Sequence, residues 1–377
     1  MQLFKQQTVA RLMCLRLVFG MGVSGSMMMA SSGLTQPADS IGIAATGTSP
    51  KNTVITTVQL GVDQTPSAIV VSPDNKTVYV ATEYENVAVL DATNNYMVKA
   101  TISLPGTVSD YLAISPDGTT LYVGGYATPP TGIVGNVSVI DTTQPTYPVK
   151  ANLVINGFAK GLAVTLDGKS LYVPYSGYSE STPGGVEIFD MSKNVGTTIQ
   201  TGGEPFEFIL TEEGKQADLL NGGGTGYLQF INTVTGTLSR STVAGGRIFF
   251  PLGMTTDASG STLYIASDLN YVTVCNAKTG AVIKRFLVSP NIASQTYLGQ
   301  TAVTPDGRYM YVPYAYNYTL REYINQVAMF DVGTGKIVGS PIQVGSYPVW
   351  AQMAPNGDTL YVANSIGGSV TVVDTTP

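Results

Sequence analysis

The chain has 377 residues, only 12% of them charged, with 19 Lys and Arg against 25 Asp and Glu and no histidine. So acidic a surface argues against nucleic acid as a partner, because phosphate recognition needs clustered Lys and Arg. The missing imidazole excludes Ser-His-Asp and Cys-His nucleophiles, c-type haem attachment and histidine-ligated zinc or copper.

Residues 1–32 form the first predicted element. Lys5, Arg11 and Arg16 precede the acid-free, mostly apolar "LVFGMGVSGSMMMA", and small residues "ASS" follow. This order predicts an export signal and a mature protein in the periplasm, at the cell surface or outside the cell, with no stable membrane insertion after cleavage. The run after Arg16 is short for a membrane span and rich in Gly and Ser. Residues 33–50 read as a flexible linker. Without the leader, 16 basic residues face 25 acidic ones, and Cys275 is the one cysteine left, so no intramolecular disulfide forms.

From residue 51 on, short runs of Val, Ile, Thr and Tyr alternate with Gly, Pro, Asn and Asp, the composition of strands and tight turns. Self-comparison gives a period close to 47 residues, seven times over. A tyrosine in "YV" recurs at Tyr79, Tyr122, Tyr172, Tyr264, Tyr311 and Tyr361, and Asp218 takes that place in the fourth copy. Four residues earlier stands a turn Gly or Asn, from Asn75 and Gly118 through Gly357, preceded by "SPD" or a relative. Pro presets φ and Gly accepts the left-handed region, so these are hairpin turns rather than metal loops. A later strand ends at Asp91, Asp141, Asp190, Asn232, Asn276, Asp331 and Asp374, where an Asx side chain caps the next turn.

Each copy therefore holds four strands, a to d, as in "DYLAIS", "TLYVGG", "NVSVID" and "VKANLVI" of the second. Seven antiparallel four-stranded units predict an all-β, seven-bladed propeller over residues 51–377. The chain begins this region on "NTVITTVQLG", which resembles strand d, and ends on "GSVTVVDTTP", which resembles strand c. The N-terminal strand is thus expected to complete the last blade. The motifs "SPDGTTLYVGG", "VSVID" and "LYVAN" resemble the YVTN-type β-propeller repeat. That resemblance implies surface-layer or exported proteins, and related propellers include redox and lactonase enzymes.

In such blades the a–b and c–d turns share one face, and the b–c and d–a connections share the other. From the landmark position to the strand-ending Asp or Asn the distances are 12, 19, 18, 14, 12, 20 and 13 residues. Blades 2, 3 and 6 therefore carry b–c extensions, rich in Tyr126, Tyr175, Tyr178, Tyr314, Tyr316 and Tyr318 and, in blade 6, Arg321. Tyrosines combine rigid contact area with a polar tip, which suits a protein, glycan or small-molecule ligand; the alternative is a set of self-packed lids. Pro313 is expected to stop pairing, so that a loop starts at Tyr314.

Position-matching along strand a aligns Ala68, Tyr111, Gly161, Glu207, Gly253, Gln300 and Trp350, with Asp110 and Lys160 one residue earlier. Asp110, Lys160 and Glu207 come from consecutive blades, and Arg247 precedes blade 5. They suggest a charged cluster at the channel mouth, or else an inter-blade salt-bridge network. No cofactor or metal motif is present. Cys275 falls on a core strand position, and "NGGGTGY" at 221–227 reads as a hairpin between strands b and c. The expected function is a non-catalytic binding or scaffold module. The alternative is a histidine-free, lactonase-like hydrolase or isomerase with Glu207 as base and Lys160 or Arg247 stabilising an oxyanion.

Overall fold

The repeat unit becomes a blade because its strands alternate between two apolar faces, each buried only when another blade covers it. In the computed structural model, residues 49–377 are described except 62–63, 84, 129–131, 179–182, 194, 212–213, 222–226, 243–250, 268–270, 289–295 and 318–320. The leader, Tyr318, Arg247 and most of the glycine-rich run at 221–227 thus lie outside the described residues.

Seven antiparallel sheets follow one another in chain order. Blade 1 is built from Pro66–Val71, Thr77–Thr82, Asn86–Asp91 and Met97–Ser103, and the later blades repeat that plan. Their innermost strands touch in sequence around the ring and back to the first. The ring closes as the two ends of the repeat region suggest. Thr53–Gln59 pairs with Ser369–Asp374 as the outer strand of blade 7, with Thr53 opposite Asp374 and Gln59 opposite Ser369. Lys51 N–H donates to Thr376 O at 2.9 Å, and Tyr311 Oη of blade 6 donates to Asn52 Oδ1 at 2.8 Å.

The landmark tyrosines hold blade to blade. Tyr79, Tyr122, Tyr172, Tyr264, Tyr311 and Tyr361 are all buried, and their rings or hydroxyls meet a neighbouring blade in several cases. Tyr79 packs edge-on against Tyr147, and Tyr361 against Tyr96. Tyr172 Oη donates to Thr233 O at 3.2 Å. In blade 4, Asp218 sits at the same register, opposite Ile209, as Tyr79 does opposite Val70. Gln216 takes over the bridge there: its Nε2 donates to Asp218 Oδ1 at 2.6 Å and to Ala277 O of blade 5 at 3.0 Å.

The turn chemistry follows the sequence. Asp117 Oδ1 accepts from Ser115 Oγ at 2.5 Å and Thr119 N–H at 3.0 Å, and Asp91 Oδ1 accepts from Thr93 N–H at 2.9 Å. These carboxylates are therefore occupied by their own backbones, and no group of three metal-ligating side chains occurs among the described residues. Cys275 is fully buried, and burial pushes its thiol up to about 12, the state of an inert core residue.

One expectation is corrected. Pro313 does not end strand b, which runs over Tyr309–Asn317, with Pro313 opposite Val327, Tyr314 opposite Gln326 and Tyr316 opposite Tyr323. The blade 6 extension is a lengthened hairpin rather than a loop starting at Tyr314. The reason is directional. A residue's N–H and C=O point to the same side of a strand, and Pro313 O accepts from Gly299 N–H of strand a. The missing donor of Pro313 thus faces inward and costs strand c nothing. The proline interrupts strand a instead, which splits into Thr296–Leu298 and Ala302–Val303. Pro174 in blade 3 acts alike: its C=O accepts from Lys160 N–H, and strand a divides into Phe158–Ala159 and Ala163–Val164.

Candidate binding face and channel mouth

Strand a of every blade carries an irregularity near its start. In blades 1, 2, 4, 5 and 7 it is a register shift, between Pro66 and Ala68, Ser109 and Tyr111, Pro205 and Glu207, Pro251 and Gly253, and Pro348 and Trp350. In blades 3 and 6 it is the proline-linked split. Bulges re-aim side chains and disrupt ladders locally. The seven residues aligned by sequence all lie at or beside this level, so the ring of positions is real, and each blade fills it differently.

At the seam of blades 6 and 7 the level is sealed. Pro313 cannot return a bond to Gln300, and the Gln300 backbone turns to the next blade. Its N–H donates to Val349 O and its C=O accepts from Ala351 N–H, both at 2.9 Å, forming a parallel bridge with Trp350. The Gln300 side chain reaches the other way, donating from Nε2 to Met254 O of blade 5 at 2.7 Å. Gly253 and Gly299 permit this closeness: a Cβ on Gly253 would lie 2.0 Å from Gln300 Oε1, and one on Gly299 2.7 Å from the Val349 carbonyl. Trp350 packs into the cores shared with blade 1.

At the seam of blades 3 and 4 the equivalent positions are Gly161 and Glu207, and no such bridge forms between them among the described residues. The Glu207 carboxyl lies over Gly161, with Oε1 3.7 Å from where a Cβ would stand. It is 9% exposed. Phe208 N–H donates to Oε1 over a long 3.4 Å. Burial raises the Glu207 pKa to about 8, opposed among the described residues by that backbone contact and by no cation. Around neutral pH it is therefore mostly a neutral acid. The expected base does not have its partner here: no ion pair joins Glu207 to Lys160 among the described residues, and Arg247 lies outside them. Asp110 and Lys160 are both half-buried on the inner strands of blades 2 and 3.

The b–c and d–a face carries two aromatic assemblies. On blades 2 and 3, Phe158 stands edge-on to Tyr126 at 5.5 Å and to Tyr178 at 5.3 Å. Tyr178 Oη accepts from Gly135 N–H at 2.8 Å and donates to Ile155 O at 3.1 Å, clipping the extension of blade 3 onto blade 2. On blades 6 and 7, Tyr297 stacks on Tyr347 at 5.6 Å, Tyr323 stands edge-on to Tyr347 at 6.0 Å, and Tyr316 meets Tyr323 at 5.3 Å. Tyr347 and Arg321 both hold positive φ, 63° and 57°. Non-glycine residues adopt that region only where their surroundings impose it.

Two predicted contact residues change role. Tyr175 and Tyr314 are buried within their blades, and Tyr314 Oη donates to Val288 O at 2.6 Å. Neither ring offers surface to a ligand in this conformation. Exposed aromatic area sits instead at Tyr178, 38% exposed, at Tyr323, 47%, and at Tyr271 where strand c of blade 5 begins, 40%. Tyr323, Tyr297, Tyr347 and Phe158 were not singled out from sequence. Their signal was position alone, since each lies in or next to a b–c or d–a connection.

No family model and no curated protein matches the chain. Among solved structures it is similar to Kuenenia stuttgartiensis hydrazine synthase, with a TM-score of 0.69 and 18% identity over 84% of this chain and 97% of that one. At that identity the likeness concerns the fold. The seven-bladed ring is established, and the YVTN-type repeat stays a resemblance of motifs.

Proposed function

We propose that this protein is an exported, non-catalytic binding or scaffold propeller that recognises its ligand on the face formed by the b–c hairpins of blades 2, 3 and 6. The supporting observation is the pair of aromatic assemblies on that face, each ending in a substantially exposed tyrosine, Tyr178 and Tyr323. Exposed rings held by edge-on neighbours present area at little entropic cost, which is what recognition surfaces use. The opposite face is taken up by short turns whose carboxylates bind their own backbones. The hydrolase alternative draws less support, because it needs an ionised Glu207 next to a cation.

The test is a thermal-shift screen of the mature ring against oligosaccharides, peptidoglycan fragments, lactones and peptides of either charge. A ligand whose stabilisation is lost in Tyr178→Ala or Tyr323→Ala, and kept in Asp91→Asn on the opposite face, supports the reading. Turnover of a lactone that Glu207→Gln abolishes would sink it.

A further inference from the structure

The charges of the ring are unevenly divided between its faces. On the b–c and d–a side, the described residues include five carboxylates, Glu83, Glu85, Asp110, Glu204 and Glu322, against two cations, Lys160 and Arg321. On the opposite turns and the outer strands, eleven described acidic side chains face twelve basic ones. Several of those are directly paired, as Lys150 with Asp141 at 3.1 Å and Lys193 with Asp190 at 2.8 Å. Among the described residues the net negative charge is therefore concentrated on the face with the exposed tyrosines.

A second, independent feature lies near the start of strand a in blade 4, beside the d–a connection. Glu207 is nine-tenths buried, receives one long backbone hydrogen bond, and has no cation beside it among the described residues. A buried carboxyl without a counter-charge is costly, and removing such costs is how a ligand gains affinity. The break in strand a of blade 3 sets Gly161, which has no side chain, beside this carboxyl.

Building on the recognition face above, we infer that its ligand is a basic polypeptide segment, one Lys or Arg side chain of which ion-pairs with Glu207 while flanking cations lie against Tyr178, Tyr323 and the acidic rim. Aromatic faces attract ammonium and guanidinium groups, and the spread of carboxylates over several blades suits a chain of cations better than a single one. Binding is coupled to protons. The titratable groups on the elements packed around Glu207 are Lys160 beside Gly161, Tyr172 and Tyr175 on strand b of blade 3, and Asp218 on strand b of its own blade. Burial alone raises the carboxyl, so an arriving cation ionises it and releases a proton.

The experiment uses the mature ring and fluorescein-labelled hexa-arginine, with hexa-glutamate and spermine as comparison probes, read by fluorescence anisotropy. Hexa-arginine is expected to bind, to weaken about tenfold or more between 50 and 200 mM salt, and to tighten as pH rises from 6 to 9. Glu207→Gln should lose about tenfold and abolish the pH dependence, and Glu204→Gln/Glu322→Gln should reduce the salt slope. Asp91→Asn on the opposite face should leave binding unchanged. Absence of hexa-arginine binding, equal loss in Asp91→Asn, or spermine competing at equal affinity overturns the inference. A neutral ligand found in the screen, dependent on Tyr178 or Tyr323, would keep the recognition face and reject only its cationic ligand.

Discussion

Blades 3 and 6 contain the same four residues, Tyr-Val-Pro-Tyr, at the same place in strand b, and the two seams they create are opposites. In blade 6 the freed residue of strand a is Gln300, which turns its backbone to blade 7 and its side chain to blade 5, locking three inner strands together. In blade 3 the freed residue is Gly161, which has no side chain to extend, and blade 4 meets it with the Glu207 carboxyl. One proline thus breaks a ladder in both, and the residue opposite it decides whether the seam is closed by hydrogen bonds or left with an uncompensated acid.

The contrast breaks most visibly under pH. Glu207 binds its proton more tightly in the folded ring than in the unfolded chain, so stability is complete below the unfolded value near 4.5 and declines as pH rises to about 8. Glu207→Gln removes that decline. Chemical denaturation should find the variant more stable by roughly 5 kcal/mol at most at pH 9 and much closer to wild type at pH 5. A wild type whose stability does not fall between pH 5 and 9 would contradict the uncompensated seam.

The paired glycines test the closed side. Gly299→Ala places a Cβ 2.7 Å from the Val349 carbonyl and should cost about 1–3 kcal/mol. In Gly161→Ala the nearest atom is Pro174 Cγ at 3.3 Å, a contact that small shifts relieve, so its loss should come from the φ of 158° that alanine rarely adopts rather than from crowding across the seam. A Gly299→Ala variant that melts with wild type would show that the seam of blades 6 and 7 is not closely packed.

Next come the landmark tyrosines of the same two blades. Tyr311→Phe removes a 2.8 Å bond to Asn52 that ties blade 6 to the segment closing the ring, at about 1 kcal/mol. Tyr172→Phe removes a 3.2 Å bond to the next blade's turn and should cost less. The smallest effect belongs to Tyr323 on the blade 6 hairpin. Tyr178→Ala loses two hydrogen bonds and should lower the melting temperature measurably, whereas Tyr323→Ala should stay within about 0.5 kcal/mol of wild type. A large loss at Tyr323 would make it a packing residue and weaken its part in recognition.

The ring was legible in the sequence because it rests on local, repeated rules. Turn glycines, Asx caps and the period of two recur seven times, and the strand-like residues at both ends specify how the ring closes. Even the exception could be read: the position of Gly214 placed Asp218 in register with the tyrosines, as the pairing with Ile209 bears out. Alignment along strand a likewise found seven positions that lie at or beside its irregularities. The tertiary structure alone decided what happens at them. Whether Pro313 stops strand b or splits strand a depends on which way its backbone points. Whether Glu207 has a counter-ion, and whether Tyr175 and Tyr314 are surface or core, depends on packing from neighbouring blades nearly 50 residues away in sequence. A repeat fixes the unit and its order; contacts between units depend on pairs of positions that no single unit contains.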